Sequence, residues 1–524
     1  MIRGKPLRLA TAAVAAGLAL SATPAFAQML HAKVAQGALV GKAEGSVAAY
    51  LGVPFAAPPV GENRWRPPGR PASWKGERKA DRFSASCQQA VSPNGFGPWT
   101  AEYVISNEAS EDCLYLNVWT PAKTASEKLP VLFWIYGGGF NSGGSSVAIY
   151  NGAHLASKGI IVVSVNYRVG VYGFFAHPEL SAESPAHASG NYGLLDMVAG
   201  LRWVHDNIAS FGGDPARVTI AGQSAGAASV HHLIGSPLTK GLFSQAIAQS
   251  GSGMGLPVPD RASEEATGKR VADADGTSLT LAQLRKLGTA DLDARVRKAD
   301  AGFSPIVDGL FFPNAATVGA NTNDTPILTG MTANEVTGVD PNYNKVTVAS
   351  FNAQLSSVYG KYAKEFAVLY PAGDDKQAWA SSGVLSRERG LASMYFWARD
   401  RLQHTTHPIY AYLWTHIEAG PDSARYLAFH SSEIPYVFDT LDTAKRPFTA
   451  VDRTLAVELG TYWLNFVKTG NPNGGGQAQW PQLTAADKQI LEIGETTRQR
   501  VVLDADRLAL FDLYTKAGGQ LGIF

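Results

Sequence analysis

The chain has 524 residues, 45% hydrophobic and 10% aromatic, with 45 Lys and Arg against 44 Asp and Glu. Such a length and apolar content support a large buried core. A near-neutral chain without a long basic run shows no bias toward polyanions, so nucleic acid is not an expected partner.

Taken in chain order, residues 1–27 read as a signal peptide. Arg3, Lys5 and Arg8 supply a positive start, Leu9 to Leu20 an apolar run, and Ala25-Phe26-Ala27 a small-x-small cleavage site before Gln28. The run is short and alanine-rich, so no stable membrane insertion is expected. No twin arginine precedes it and no lipobox-like cysteine follows. The expected product is residues 28–524, exported to a periplasm or secreted. Only two cysteines occur, Cys87 and Cys113. In an oxidising compartment they most simply form one disulfide, whose loop closure stabilises by about 3 kcal/mol in the chain-entropy view.

From Leu114 to Val171, continuous apolar runs alternate with glycine and polar breaks, as in neighbouring strands covered on both faces. Leu194–Ile208 has helical spacing. Arg217–Ala221 reads as a short buried strand, followed by a helix from Ala225 to Leu233. Residues 260–300 and 350–405 have helical texture and are expected to cap the sheet and shape a pocket. Thr325–Gly330, Ile409–Trp414 and Gln489–Ile493 read as further strands, and Gly474-Gly475-Gly476 as a surface loop. The alternation predicts an α/β fold with a central, mostly parallel sheet flanked by helices.

Between the Arg217–Ala221 strand and its helix lies Gly222-Gln223-Ser224-Ala225-Gly226. A serine on such a turn is held with its hydroxyl projecting, and glycines two residues either side avoid crowding. No other serine in the chain has glycine at both positions. A serine nucleophile needs a histidine base and an orienting carboxylate. His430, in a polar loop after the Ile409–Trp414 strand, is the favoured base over His404, His407 and His416. For the acid, Glu335 follows a strand, with Asp308 and Asp340 still open. Tyr136-Gly137-Gly138-Gly139-Phe140 offers unobstructed N–H groups that, with that of Ala225, could cradle an oxyanion. No phosphate-loop, dinucleotide, zincin or EF-hand pattern occurs, so neither cofactor nor metal is implied.

These residues resemble the type-B carboxylesterases, the α/β-hydrolase group that includes the cholinesterases. Glu111-Asp112-Cys113-Leu114-Tyr115-Leu116-Asn117-Val118 resembles one family signature and the Gly222–Gly226 segment the other. The likeness runs from Gly52-Val53-Pro54-Phe55-Ala56 through Asn166-Tyr167-Arg168, Gly212-Gly213-Asp214-Pro215 and Glu433-Ile434-Pro435-Tyr436-Val437-Phe438 to Thr469-Gly470-Asn471-Pro472-Asn473. It implies an α/β-hydrolase fold with helical cap insertions, in one catalytic domain over 28–524. It assigns Ser224 as nucleophile, Glu335 as acid and His430 as base, with Gly138, Gly139 and Ala225 as oxyanion donors. Glu433 and Ser250 fall where relatives place supporting polar groups, and Cys87–Cys113 matches the first family disulfide.

The chain departs from the family at Gln223, where glutamate is common, and at Val336 and Ala428, where glycine is common. Cholinesterases carry a tryptophan in the disulfide loop; this loop has Trp99 and Tyr103, and choline ester specificity is not implied. The expectation is a serine carboxylic-ester hydrolase acting on small to medium esters. The alternatives are a catalytically silent adhesion or binding protein on the same fold, or a lipase or amidase. The pocket walls are expected from the helical excursions, the 87–113 loop and Phe140. The sequence sets neither the oligomeric state nor the acyl and alcohol groups accepted.

Overall fold

A computed structural model describes residues 1, 2, 4, 28–253 and 258–523, so nearly all of the leader lies outside the described residues. An eleven-stranded sheet forms the core. Its strands are β1 (Lys42–Glu44), β2 (Val47–Pro54), β3 (Tyr115–Thr120), β4 (Leu129–Ile135), β5 (Ile161–Val165), β6 (Gly213–Gln223), β7 (Gln245–Gln249), β8 (Ile327–Thr332), β9 (Ile409–Trp414), β10 (Gln489–Ile493) and β11 (Arg498–Val501). Their order across the sheet is β11-β10-β9-β8-β7-β6-β4-β5-β3-β2-β1. From β5 through β4 to β10 every pair is parallel, and the antiparallel pairs lie toward the two edges.

Every residue of β5, β8 and β9 is buried, so both faces are covered, as the continuous apolar runs foretold. Helices α1 (Tyr192–Asn207) and α2 (Ala225–Gly235) pack on β6, and α3 (Ala450–Thr469) packs on β4 and β6. The 260–300 and 350–405 segments are helical as expected. Strand β8 starts two residues later than its sequence pattern suggested. Pro326 has no N–H to enter the ladder, and pairing begins at Ile327. No described helix is long and apolar enough to cross a membrane.

The motifs behind the family resemblance pin segments together. Asn117 accepts from Gly52 N at 3.0 Å and donates to Ser145 and Ser164 hydroxyls. Asn166 donates to the carbonyls of Ala85 and Cys113, and Arg168 makes a buried two-pronged ion pair with Asp196 at 2.7 and 2.8 Å. Cys87 and Cys113 are bonded as a disulfide.

Candidate active site

Strand β6 ends in a sharp turn at Ser224, whose φ of 59° and ψ of −125° lie where L residues rarely sit. Such strain costs of order 1–3 kcal/mol and persists only when the surroundings enforce it. Here they do so from both sides. Ser224 N donates to Gln249 O on β7 at 2.9 Å, and Ser224 O accepts from Ala228 N inside α2. A Cβ on Gly226 would lie 2.1 Å from Ile135 O, and one on Gly222 2.5 Å from the Gly226 carbonyl carbon. The two flanking glycines are therefore dictated by backbone meeting backbone.

Adjacent parallel strands β8 and β9 release their following chain segments on the same side of the sheet. There, Asn334 N donates to Ala428 O at 3.0 Å and pairs with Phe429, bringing Glu335 to His430. The Glu335 carboxylate accepts from Ser250 Oγ at 2.6 Å, from Thr332 N at 2.8 Å and from His430 Nδ1. With its Nδ1 proton directed at a carboxylate, the neutral imidazole keeps the Nε2 lone pair for the open side. The Gln223 amide donates to that nitrogen at 3.0 Å. Val336 and Ala428 both avoid positive φ, so neither position demands the glycine common among relatives.

Glu433 lies behind this pair, fully buried. One of its oxygens accepts from Gln249 Nε2 at 3.0 Å and Tyr412 OH at 3.3 Å, while the other has no partner among the described residues. Burial, then the charge of Glu335, pushes its carboxyl up to about 7. The Gln249 that serves Glu433 also receives the Ser224 N–H through its backbone, so one residue braces both sides of the site.

The glycine loop after β4 faces the serine. Stacked Tyr136 and Tyr167 rings, each hydroxyl donating to the other's carbonyl, fix where it starts. Gly138 adopts φ 116°, and a Cβ there would lie 2.3 Å from Ser142 O. Ser224, His430, Gln223 and Gly137–Gly139 line one cavity of about 410 Å³. Its remaining wall comes largely from the Cys87–Cys113 loop, including Phe96, Trp99, Tyr103 and Ile105. No Lys, Arg, Asp or Glu is among the lining residues.

The expected residues Ser224, Glu335, His430, Gly138, Gly139, Ala225, Ser250, Gln223 and Glu433 thus converge on one place. The rivals do not. Asp308 accepts the Leu310 and Phe312 N–H groups, Asp340 faces a separate cavity, and His416 bonds Asp452. The wall differs from expectation: the helices of 260–300 and 350–405 contribute nothing to this cavity. Phe140 turns away to contact Phe174 and His232. Sequence reading also missed Trp99 Nε1, which donates to His430 O at 3.0 Å, since only the folded loop brings it there. Among the described residues no group of three or more His, Cys, Asp or Glu could hold a metal ion.

Residues 28–511 match the model of the carboxylesterase family. The chain is 36% identical to fumonisin B1 esterase of Sphingopyxis macrogoltabida, over 89% of this chain and 87% of the relative. It is 32% identical to para-nitrobenzyl esterase of Bacillus subtilis (strain 168), over 90% and 94% of the two chains. It is equally 32% identical to cocaine esterase of Homo sapiens, over 96% and 95%. With a family match across nearly the whole of 28–524, the chain belongs to the carboxylesterase family, has its α/β-hydrolase fold and is a carboxylic-ester hydrolase.

Proposed function

We propose that Ser224, Glu335 and His430 carry out this hydrolysis through an acyl-enzyme, within one catalytic unit spanning 28–524. The Ser224 hydroxyl attacks the ester carbonyl as His430 Nε2 takes its proton; Gln223, donor to the same nitrogen at rest, gives way. Glu335 holds the imidazole in the required tautomer and balances the imidazolium charge. The negative oxygen of the tetrahedral intermediate is received by the N–H groups of Gly138, Gly139 and Ala225, the last at the positive end of α2. His430 then protonates the departing alkoxide. Water, deprotonated by His430, attacks the acyl carbon and releases the acid, restoring the Ser224 hydroxyl.

The single observation that carries the assignment is the strained, doubly braced Ser224 sharing a cavity with a histidine already bonded to a buried carboxylate. Ser224→Ala is expected to lower turnover of an activated short-chain ester roughly 10⁴-fold or more and to abolish organophosphate labelling, with melting unchanged. A folded variant keeping more than a few per cent of activity would refute it. The cavity lining, largely apolar and without Lys, Arg, Asp or Glu, supports small to medium esters without a formal charge near the scissile bond. The disulfide, and a family match that begins at residue 28, support export with cleavage between Ala27 and Gln28. A mature N-terminus other than Gln28 on the exported protein would contradict that site.

A further inference from the structure

The geometry points to Arg446 as a positioning residue that fixes the hairpin wall of the substrate cavity, and so to selectivity residing in a segment remote from the reacting atoms. The inference rests on the proposed site but goes beyond it. The cavity wall contains a two-stranded hairpin, Gly95–Phe96 paired with Trp99–Thr100, which belongs to no larger sheet. Phe96 at its tip is 61% exposed and contacts Trp99, with ring centroids 5.2 Å apart. So short a ladder has little stability of its own, and its position must come from tethers.

Arg446 supplies most of them. Its guanidinium donates to Pro98 O at 3.1 Å, Thr100 Oγ1 at 2.6 Å, Glu102 Oε1 at 2.7 Å and Ala419 O at 3.3 Å. It also lies over the Tyr103 ring, 5.5 Å from the centroid, and 3.5 Å from buried Glu418, which in turn accepts the Tyr103 hydroxyl at 2.6 Å. One planar fork therefore holds residues 98, 100, 102 and 103 at once, a task that a lysine ammonium cannot reproduce. At its other end the hairpin rests on the proposed base and acid loops. Trp99 bonds His430 O, and its ring fills the space beside Gly338, where an added Cβ would lie 2.7 Å from Trp99 Cη2. Displacing the hairpin moves Phe96 and Trp99, both cavity walls, while Ser224 and Glu335 keep their own bonds to the sheet backbone. A bulky apolar group on either side of the ester needs this wall; a small ester does not.

The test compares ethyl acetate with 2-naphthyl acetate and ethyl 2-naphthoate on Arg446→Lys and Gly338→Ala. The second variant shifts Trp99 without touching the buried charges; if Arg446→Lys does not fold, Thr100→Val, which removes one acceptor of the fork, takes its place. For at least one naphthyl ester KM is expected to rise roughly tenfold, with kcat and the ethyl acetate KM within about twofold of the parent. Folded variants with an unchanged naphthyl-to-ethyl KM ratio, or with kcat falling alike on all three esters, overturn the role of Arg446. Failure of the catalytic assignment would show separately, as activity retained by Ser224→Ala.

Discussion

The cavity has two sides built on different principles. On one side Ser224 and Glu335 lie just past the ends of β6 and β8, held by backbone bonds to the sheet, and His430 lies in a loop beyond β9 that a backbone bridge ties to the Glu335 segment. On the other side the 95–103 segment lies in the loop between Cys87 and Cys113, tied down mainly by side chains: the disulfide, Arg446, the Trp99 indole N–H and the Tyr103 hydroxyl on Glu418. The reacting groups thus inherit the rigidity of the sheet, whereas the wall is only as firm as a few side chains. Such a division lets the wall vary without disturbing the chemistry. Substitutions on the sheet side should therefore act on kcat, and those on the wall side on KM.

After Ser224→Ala, the largest effect is expected from Gly226→Ala. Its Cβ would sit 2.1 Å from Ile135 O, backbone against backbone, so β4 and α2 must separate. Because the glycine loop follows β4 and Ser224 precedes α2, the shift parts the nucleophile from its oxyanion donors. We expect kcat to fall more than about 100-fold and stability by about 1–3 kcal/mol, read from kinetics and thermal melting. A variant that kept kcat and lost only KM would erase the contrast between the two sides.

Next in size is the double variant Cys87→Ser, Cys113→Ser. Opening a loop with 26 residues' separation is expected to cost about 3 kcal/mol in the chain-entropy model. Both positions are buried, yet neither lies among the cavity-lining residues. Melting should therefore drop while kcat on a small ester survives at temperatures where the protein stays folded, and KM for bulky esters should rise. A loss of kcat with KM unchanged would mean that the disulfide braces the reacting groups instead.

The same division explains what the sequence made legible. Ser224 could be read because its turn demands glycines at fixed offsets, and β9 because all six of its residues are apolar and buried. Glu335 was less legible: a lone carboxylate in a loop has no local signature, so only the family resemblance selected it over Asp308 and Asp340, and the pairing of Asn334 with the His430 loop is what brings it to the histidine. Trp99 and Arg446 carry no periodic pattern, and their partners His430 and Pro98 lie more than 300 positions away, so those contacts depend on the whole fold. The helical excursions mislead in the opposite direction: their amphipathic texture reports packing, not which cavity they border.

The smallest expected effect concerns Glu433, on the sheet side but one layer behind the reacting groups. Its carboxyl, ordinarily near 4.5, is raised to about 7, chiefly by burial. The folded protein therefore keeps a proton that the unfolded chain has already released. Stability from this group is fully present below the ordinary carboxylate value and is lost as pH rises toward and through about 7. Between pH 6 and 8 that loss amounts to about 1 kcal/mol. Glu433→Gln keeps an acceptor for Gln249 and Tyr412 but cannot ionise. The variant should melt with a flatter pH dependence than the parent over that range, losing less stability by pH 8. Parallel melting curves for the two proteins from pH 6 to 8 would show that the buried carboxyl is not what couples this side of the cavity to pH. In that case the support Glu433 gives to Gln249, and through it to Ser224, would be steric and independent of its charge.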